Sequence, residues 1–247
     1  MIKSLLNLFG KKEPPLPDYG MLSTDMHSHL IPGVDDGAKE IEDSIELIRN
    51  LHELGFRKLY TTPHIMSDYF KNTAENINAG LERVREAIAA EGIDMEIHAG
   101  AEYYLDDGFI KKLENEKLLT IGDNYLLFEI SYINCPDNVE EVIFRMQVQG
   151  YKPILAHPER YPFWYGDFSK YQKLKDIGAV LQVNINSLGG YYGNDARRTA
   201  ERLIDAGLVD LLGTDCHHLR HIEGLHRTLA SPLLKKAIDQ NVFNNQL

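Results

Sequence analysis

The chain alternates between two patterns of apolar and polar residues. Short runs rich in β-branched and aromatic residues predict a first strand that ends near residues 25–27 and later strands at 58–62, 93–99, 125–130, 152–156, 179–184 and 209–213. Longer runs with apolar residues three or four positions apart predict helices at 40–54, 74–90, 108–116, 138–149, 170–176 and 197–206, with one more near the C-terminus. Strands and helices that alternate in this way predict repeated βα units around a parallel sheet.

Side chains that can bind metal ions occur at the ends of nearly all the predicted strands. In chain order they are His27 and His29, His64, Glu102, Glu129, His157, and Asp215 with His217. An open sheet concentrates its chemistry near one switch point, whereas a barrel collects it from the carboxyl ends of many strands. The distribution therefore favours a barrel with one crowded rim over an open doubly wound sheet.

This set of imidazole and carboxylate groups suits zinc, manganese, iron and related ions, and a site with two ions also needs a carboxylate to bridge them. Residues two positions apart in an extended segment point the same way, so His27 and His29 can hold one ion together. Asp215 and His217 can face one cluster for the same reason. Each pair alone is weak, because histidines often serve as ordinary core or surface residues. Their joint placement at strand ends is what indicates a metal site.

Composition and charge narrow the function further. The 247 residues carry a formal net charge of −11, which argues against nucleic acid as a partner because phosphate binding requires an excess of Lys and Arg. No apolar run approaches the ~20 residues of a membrane-spanning helix. With 43% apolar residues the chain can bury a real core.

The chain has two cysteines, Cys135 and Cys216, and neither fits a disulfide framework. A cysteine that acts as the nucleophile in phosphate transfer can be followed by an arginine six positions later. Those positions hold Glu141 and Ile222 here, which excludes cysteine-based phosphate transfer. Cys216 is expected to be a small buried residue.

Residues 1–20 are expected to form an N-terminal arm ahead of a single domain at 21–247. The opening nine residues are weakly amphipathic, but Lys3 and Asn7 interrupt the apolar run and no cleavage site of a signal peptide follows. The prolines at positions 14, 15 and 17 make the next segment a stiff linker. We expect the arm to pack or fray, with docking to a membrane surface as the alternative.

Seven short segments resemble one family of bacterial enzymes. They are DMHSH at 25–29, VDDGA at 34–38, TPH at 62–64, GAEYY at 100–104, LFE at 127–129, AHPERY at 156–161 and TDCH at 214–217. In this order they resemble the PHP-type bacterial protein-tyrosine phosphatases, the CpsB/CapC family of capsule and exopolysaccharide operons. The match runs from residue 24 to the C-terminus and leaves the arm outside.

The resemblance implies a distorted (β/α)7 barrel, similar to a TIM barrel, of the polymerase and histidinol phosphatase (PHP) superfamily, with three divalent metal ions. Manganese is the favoured metal, and iron, zinc and cobalt are the alternatives. The first ion would be held by His27, His29, Glu102 and Asp215, the second by Glu102, Glu129 and His157, and the third by Asp36, His64 and His217. Asp36 matches the family's ligand in the Asp-Asp-Gly segment, whereas Asp35 is expected to support the loop.

The implied activity is hydrolysis of phosphotyrosine by a metal-bound hydroxide. Arg160 matches a phosphate-binding arginine of the family. Arg220 is the nearest counterpart of a second one, although its spacing from the last histidine ligand differs. His218 is a candidate general acid, with a metal-bound water as the alternative. The departing phenolate has a pKa of ~10, so it needs less help from a proton donor than an alkoxide does.

The resemblance also implies a partner and a location. The expected partner is a phosphotyrosine protein, namely the Tyr-rich tail of a bacterial tyrosine kinase or polysaccharide co-polymerase. The expected location is cytoplasmic or peripheral to the inner face of the membrane.

Two other functions stay open at this point. One is a phosphatase of small molecules such as histidinol phosphate, and the other is a non-catalytic scaffold stabilised by metal. Histidinol-phosphate phosphatases tend to have histidine at the position of Asp36, so this segment favours the tyrosine-phosphatase branch. The complete set of ligands counts against a scaffold.

Overall fold

The computed structural model describes residues 14–240 and 242–247, so most of the predicted arm lies outside the described residues. The strands are β1 Thr24–Asp25, β2 Lys58–Thr61, β3 His64–Ile65, β4 Glu96–Ala99, β5 Glu102–Tyr104, β6 Tyr125–Glu129, β7 Lys152–Ala156, β8 Val180–Asn184 and β9 Leu211–Gly213. The α-helices are α1 Ile41–Glu53, α2 Ala74–Ala90, α3 Asp107–Asn115, α4 Val139–Val148, α5 Ser169–Asp176, α6 Ile185–Leu188, α7 Asn194–Asp205, α8 Leu219–Thr228 and α9 Pro232–Asp239. Short 3-10 turns lie at Pro158–Arg160, Pro162–Trp164 and Asn244–Gln246.

Most predicted elements have nearly these bounds. The predicted helix at 74–90 and the predicted strand at 152–156 coincide with α2 and β7. α2 begins where the Thr73 side chain accepts the backbone N–H of Asn76, and Gly92, at φ 68°, follows its last turn. The C-terminal region holds two helices rather than one, because Pro232 can start a helix but cannot continue one. The short helix α6 has no predicted counterpart.

The predicted strands at 58–62 and 93–99 are each followed by a further short strand that was not predicted. β3 follows β2 after residues 62–63, and β5 follows β4 after residues 100–101. Pro63 has no N–H to donate to a ladder, which explains the first break. The Glu102 N–H donates to the Pro63 carbonyl oxygen at 3.1 Å, and this hydrogen bond keeps the two strands paired in the same register on both sides of the breaks. His64 and Glu102 therefore begin β3 and β5 as paired neighbours.

All the paired strands are parallel. The three-stranded sheet has the order β1–β2–β4, and the six-stranded sheet has the order β3–β5–β6–β7–β8–β9. The segment after β1 also lies parallel to the segment after β9. Ser28 forms a bridge with Cys216, and the His29 N–H donates to the Cys216 carbonyl oxygen at 2.9 Å. The protein is thus a parallel α/β fold, and the carboxyl ends of its strands lie on the same side.

The hydrophobic core has two parts, one on each face of the sheets. Leu126 and Phe128 of β6 belong to the larger part, which includes the buried faces of the helices. Leu127 belongs to the smaller part, which consists mainly of side chains from the strands. Both faces of β6 are buried, so its sequence is a continuous apolar run without polar alternation. Cys216 is fully buried, as expected from the sequence. None of the helices in the described ranges is long and apolar enough to cross a membrane.

The described part of the arm, residues 14–20, contacts the body of the protein. The Leu16 N–H donates to the Leu229 carbonyl oxygen at 3.0 Å. The Tyr19 ring is fully buried, stacks on Phe56 at 5.2 Å, and its hydroxyl donates to the Leu225 carbonyl oxygen at 2.7 Å. These contacts attach the segment to α8 and to the start of β2, while the division at residue 20 stays a prediction.

The loop between β1 and α1 folds back tightly over His29. The Ala38 N–H donates to the His29 carbonyl oxygen at 3.2 Å, and a Cβ at Gly37 would lie only 2.6 Å from the His29 Cβ. We expect Gly37→Ala to lower the free energy of unfolding by about 1–3 kcal/mol, because backbone must move to admit the methyl group. Gly166→Ala is the control, since nothing lies within 4 Å of that Cβ. Urea unfolding of both variants measures the effect, and equal stability would contradict the expected crowding.

Candidate metal centre

The structure brings all nine predicted metal ligands together at one side of the sheets. They are His27 and His29 after β1, Asp36 in the following loop, His64 at the start of β3, Glu102 at the start of β5, Glu129 at the end of β6, His157 after β7, and Asp215 and His217 after β9. Seven of the nine line one cleft with a volume of about 340 Å³. His27 and His29 are fully buried and contact the cleft-lining Glu102.

Glu102 lies at the centre of this cluster and is itself buried. Its Oε2 atom is 3.2 Å from His27 Nε2 and 3.2 Å from His64 Nδ1. Its Oε1 atom is 3.0 Å from His157 Nε2. One carboxylate therefore contacts imidazoles from three separate strand ends, as a bridging ligand must.

The donor atoms form four overlapping groups, and the atoms of each group lie within 4.8 Å of one another. The groups are His29, Asp36, His64 and His217; His27, His29 and Asp215; His27, Glu102 and His157; and His64, Glu102 and Glu129. Two of them contain the core of the predicted first and third sets. The predicted second set is divided between two groups, because Glu129 groups with His64 whereas His157 groups with His27. The Glu129 Oε2 atom is 4.0 Å from His157 Nε2.

One buried atom of the cluster is left without a hydrogen bond. His64 Nδ1 is 3.2 Å from Glu102 Oε2 and 3.3 Å from Glu129 Oε1, yet it makes no hydrogen bond among the described residues. Buried polar atoms in folded proteins nearly always have a partner. A ring nitrogen between two carboxylates, with no hydrogen bond to either, fits the position of a metal ligand.

The cluster concentrates opposite charges in a buried space. Burial raises the pKa of the Glu102 carboxyl, but its contacts with His27, His64 and His157 together hold this pKa well below 4.5. Burial lowers the pKa of His29, yet Asp35 and Glu102 hold that pKa well above 6.5. Buried carboxylates need positive charge nearby, and divalent cations supply it when they replace the imidazole protons. The donor set therefore fits divalent metal ions.

Residues outside the cluster orient two of its imidazole rings. His29 Nδ1 donates to Asp35 Oδ2 at 2.7 Å, and His27 Nδ1 donates to Gln182 Oε1 at 2.9 Å. Such contacts fix the tautomer and leave the Nε2 atoms to face the cluster. Asp35 also accepts the backbone N–H groups of Gly37 and His64, which is the loop-supporting role expected from the sequence. Gln182 was not predicted, because only the pairing of β8 with its neighbours places it behind His27.

Asp215 is held by polar contacts from two elements. Its Oδ2 atom accepts from Arg160 at 2.9 Å and from Asn184 Nδ2 at 2.7 Å. The Asn184 N–H in turn donates to Glu159 at 3.0 Å. Asp215 and His157 both adopt left-handed backbone conformations, with φ values of 51° and 35°. Such strain persists only where surrounding contacts enforce it, and it is typical of functional sites.

Arg160 lies at the edge of the cleft between two phenol rings. Its guanidinium carbon is 5.0 Å from the centre of the Tyr132 ring and 4.1 Å from the centre of the Tyr192 ring. Cation–π contacts of this kind hold the planar guanidinium in one orientation. Tyr132 and Tyr192 also line the cleft, and both were missed from the sequence because they lie in loops without a recognisable pattern.

The other two predicted catalytic residues lie in different surroundings. Arg220 is exposed and lines a groove beside the cleft, so the structure does not bring it to the cluster. His218 lines both the groove and the cleft. Burial and the neighbouring His217 lower the pKa of His218, so its ring is neutral at pH 7.

His221 is a further residue of the cleft that was not predicted from the sequence. It accepts the His217 N–H on Nδ1 at 3.0 Å and stacks on His218 with ring centres 4.1 Å apart. The sequence signal for it is its position four residues after His217, which lets a side chain in the first turn of α8 accept the backbone N–H of a residue just before the helix.

Comparison with known proteins places the chain in a family. A family model described as "Capsular polysaccharide synthesis, CpsB/CapC" matches residues 23–243. The chain belongs to the CpsB/CapC family. This membership confirms the resemblance carried by the seven sequence segments.

Named relatives and solved structures agree with the CpsB/CapC assignment. Tyrosine-protein phosphatase YwqE of Bacillus subtilis (strain 168) is 29% identical over 197 residues, which cover 79% of this chain and 78% of the relative. A structure described as one of "YwqE from Bacillus subtilis and CpsB from Streptococcus pneumoniae, unique metal-dependent tyrosine phosphatases" matches with a TM-score of 0.77 and 28% identity, over 85% of this chain and 89% of the other. A lactonase from Listeria monocytogenes matches at 12% identity with a TM-score of 0.56, over 92% of this chain and 94% of the other, and shows likeness of fold alone.

The orientation of His29 by Asp35 gives a first test of the CpsB/CapC metal centre. We expect Asp35→Asn to weaken metal binding about 10–100-fold, because the amide no longer anchors the His29 ring as a carboxylate does. Asp123→Asn is the control, since Asp123 is 86% exposed and pairs with Lys152 far from the cluster. Titration with manganese against a competing chelator measures both affinities. An unchanged affinity in Asp35→Asn would show that His29 needs no such support.

Proposed function

We propose that this chain is a metal-dependent protein-tyrosine phosphatase that acts in capsular or exopolysaccharide synthesis. The observation that carries the proposal is the convergence of nine imidazole and carboxylate side chains in one cluster, seven of which line the cleft that has Arg160 at its edge. Membership of the CpsB/CapC family and the likeness to tyrosine phosphatases described as metal-dependent support the same activity.

The proposed metal complement is three divalent ions, with manganese as the favoured metal. His27, His29, Asp36, His64, Glu102, Glu129, His157, Asp215 and His217 would hold them. Two of the four donor groups share Glu102 and the other two share His29, which supports a multinuclear site. When bound, the ions would polarise phosphoryl oxygens and lower the pKa of coordinated water toward ~7. Mixed nitrogen and oxygen donors also suit iron, zinc and cobalt.

Arg160 is proposed to bind the phosphoryl group. Its guanidinium has five N–H donors, and one of them donates to Asp215. The rings of Tyr132 and Tyr192 hold the guanidinium plane, so further donors can meet phosphoryl oxygens without a change of rotamer. Arg220, in the groove that shares His217 and His218 with the cleft, would meet protein residues beside the phosphotyrosine.

His218 is proposed to contact substrate as a neutral hydrogen-bonding group. Burial and His217 lower the pKa of His218, which disfavours the imidazolium form, and a neutral imidazole is a weak general acid. A phenolate with a pKa of ~10 departs with little protonation, so the hydrolysis of an aryl phosphate ester does not need a strong general acid.

The proposed substrate is the Tyr-rich tail of a bacterial tyrosine kinase or polysaccharide co-polymerase, and the proposed location is the cytoplasm or the inner face of the membrane. A flexible tail suits this cleft, because a phosphotyrosine must enter it side chain first. The family's description as capsular polysaccharide synthesis supports the setting.

We also propose that the two sheets together form a distorted (β/α)7 barrel over residues 21–247. The continuous register across the breaks joins β2 to β3 and β4 to β5, which reduces nine strands to seven. The bridge between Ser28 and Cys216 supports a contact between the first and last of these seven. Closure would explain why ligands from β1 and β9 reach one cluster.

The decisive experiment measures phosphate release from a phosphotyrosine peptide and from histidinol phosphate, with protein as purified, after chelation, and after manganese is added back. We expect turnover of the peptide, loss of turnover on chelation and recovery with manganese. Faster turnover of histidinol phosphate would instead identify a small-molecule phosphatase. Bound metal without turnover of either substrate would identify a scaffold and overturn the proposal.

A further inference from the structure

The cleft has an apolar wall that the metal donors do not require. Fourteen residues line the cleft, and Met66 and Phe70 are the two among them without an acidic, basic or phenolic group. Both side chains are half-buried, and within the described ranges neither belongs to the hydrophobic core or packs against it. Their apolar surface lies outside the described hydrophobic core and beside space that a ligand can enter.

The position of Phe70 relates this wall directly to the metal cluster. The Phe70 ring stacks on the His64 ring, with ring centres 5.5 Å apart and an angle of 12° between the planes. His64 Nδ1 in turn lies 3.2 Å from Glu102 and 3.3 Å from Glu129. A ligand with its phosphoryl group at the cluster therefore has Phe70 within reach of the group attached to phosphorus.

The loop that carries the wall is fixed at several points. The Met66 N–H donates to the Phe70 carbonyl oxygen at 2.9 Å. Asn72 Nδ2 donates to the carbonyl oxygens of His64 and Val34, both at 2.8 Å. These bonds hold Phe70 in place before a ligand arrives, so little ordering is needed on binding.

We propose that Phe70, together with Met66, determines specificity by binding the aromatic ring of the substrate and selecting aryl over alkyl phosphate esters. This inference rests on the proposed phosphatase function. Aromatic rings attract one another in offset or edge-on arrangements at 4.5–7 Å, and Tyr132 offers a second aromatic face in the same cleft. A phosphoserine side chain has no ring to make these contacts.

The test compares two phosphonates that differ in the group on phosphorus, phenylphosphonate and methylphosphonate. Dissociation constants are measured by calorimetry on the manganese-loaded protein, with metal content checked in each variant. We expect Phe70→Ala to weaken binding of phenylphosphonate about tenfold, equivalent to ~1.4 kcal/mol, and that of methylphosphonate by less than about twofold. Phe144→Ala on α4, where the side chain is 64% exposed and outside the cleft, is the matched control and should change neither constant.

A second variant, Phe70→Leu, keeps apolar volume over His64 and guards against loss of metal in Phe70→Ala. It should retain methylphosphonate binding and lose part of the preference for the phenyl group. Equal weakening of both phosphonates would show that Phe70 acts only by supporting His64 and would overturn the inference, as would no change in either constant. The proposed function fails separately, if wild-type protein with this phenyl preference releases no phosphate from a phosphotyrosine peptide.

Discussion

Replacing Glu102 with glutamine is expected to remove metal binding and phosphatase activity together. Glutamine has nearly the same shape but no negative charge, and its amide group would face imidazole nitrogens that need an anionic partner. Glu102 contacts His27, His64 and His157 at 3.0–3.2 Å, so its loss affects ligands from three strand ends at once. A loss of at least ~4 kcal/mol of transition-state stabilisation is expected, which lowers kcat/KM by ~10³-fold or more.

A matched control for this substitution is present on the surface. Glu96→Gln also removes a carboxylate that contacts an imidazole, since Glu96 Oε1 is 2.6 Å from His98 Nε2, but Glu96 is 57% exposed and outside the cleft. Elemental analysis and kcat/KM on a phosphotyrosine peptide should be unchanged in Glu96→Gln. Full metal content with wild-type turnover in Glu102→Gln would refute the assignment of Glu102 as the shared ligand.

Replacing Arg160 with lysine is expected to lower kcat/KM by about 10²-fold, the typical effect of removing one preorganised donor at developing charge. Lysine keeps the charge but lacks the planar donor array that Tyr132 and Tyr192 orient at 5.0 and 4.1 Å. The metal content is expected to stay at the wild-type level, because Arg160 is not one of the donor groups.

Arg202→Lys is the control for Arg160→Lys. The Arg202 guanidinium also stacks on an aromatic ring, 4.3 Å from the centre of Phe168, and it is not among the residues that line the cleft. Its replacement should leave kcat/KM unchanged. If Arg160→Lys lost metal in proportion to activity, its main role would be support of Asp215, its hydrogen-bond partner at 2.9 Å, rather than phosphate binding.

The positions of the ligands could be predicted because they depend on local pattern and on one general rule. Strand and helix periodicity located β6 and β7 within a residue, and parallel strands bring their carboxyl ends together whatever the details of packing. Residues such as His157 and Glu129 were therefore expected to meet although 28 residues separate them. Which donors lie together was less predictable, because Glu129 groups with His64, whereas the predicted second set places it with His157.

The surroundings of the ligands depended on long-range packing that leaves no local pattern. Arg220 was the nearest counterpart of a phosphate-binding arginine after His217, although its spacing differs. The helix α8 begins at Leu219, and its first turn leaves Arg220 exposed in the neighbouring groove. Gln182 reaches His27 across 155 positions of the chain. No rule of spacing connects residues so far apart.

The sequence by itself was enough to predict a parallel α/β fold and the set of candidate metal donors, because both follow from residue type, local periodicity and position at strand ends. Only the tertiary structure decided which donors share a group, that Tyr132 and Tyr192 enclose Arg160, and that Phe70 covers His64. The physical reason is that loop side chains are placed by contacts with distant elements, whereas strands and helices are placed by their own periodicity.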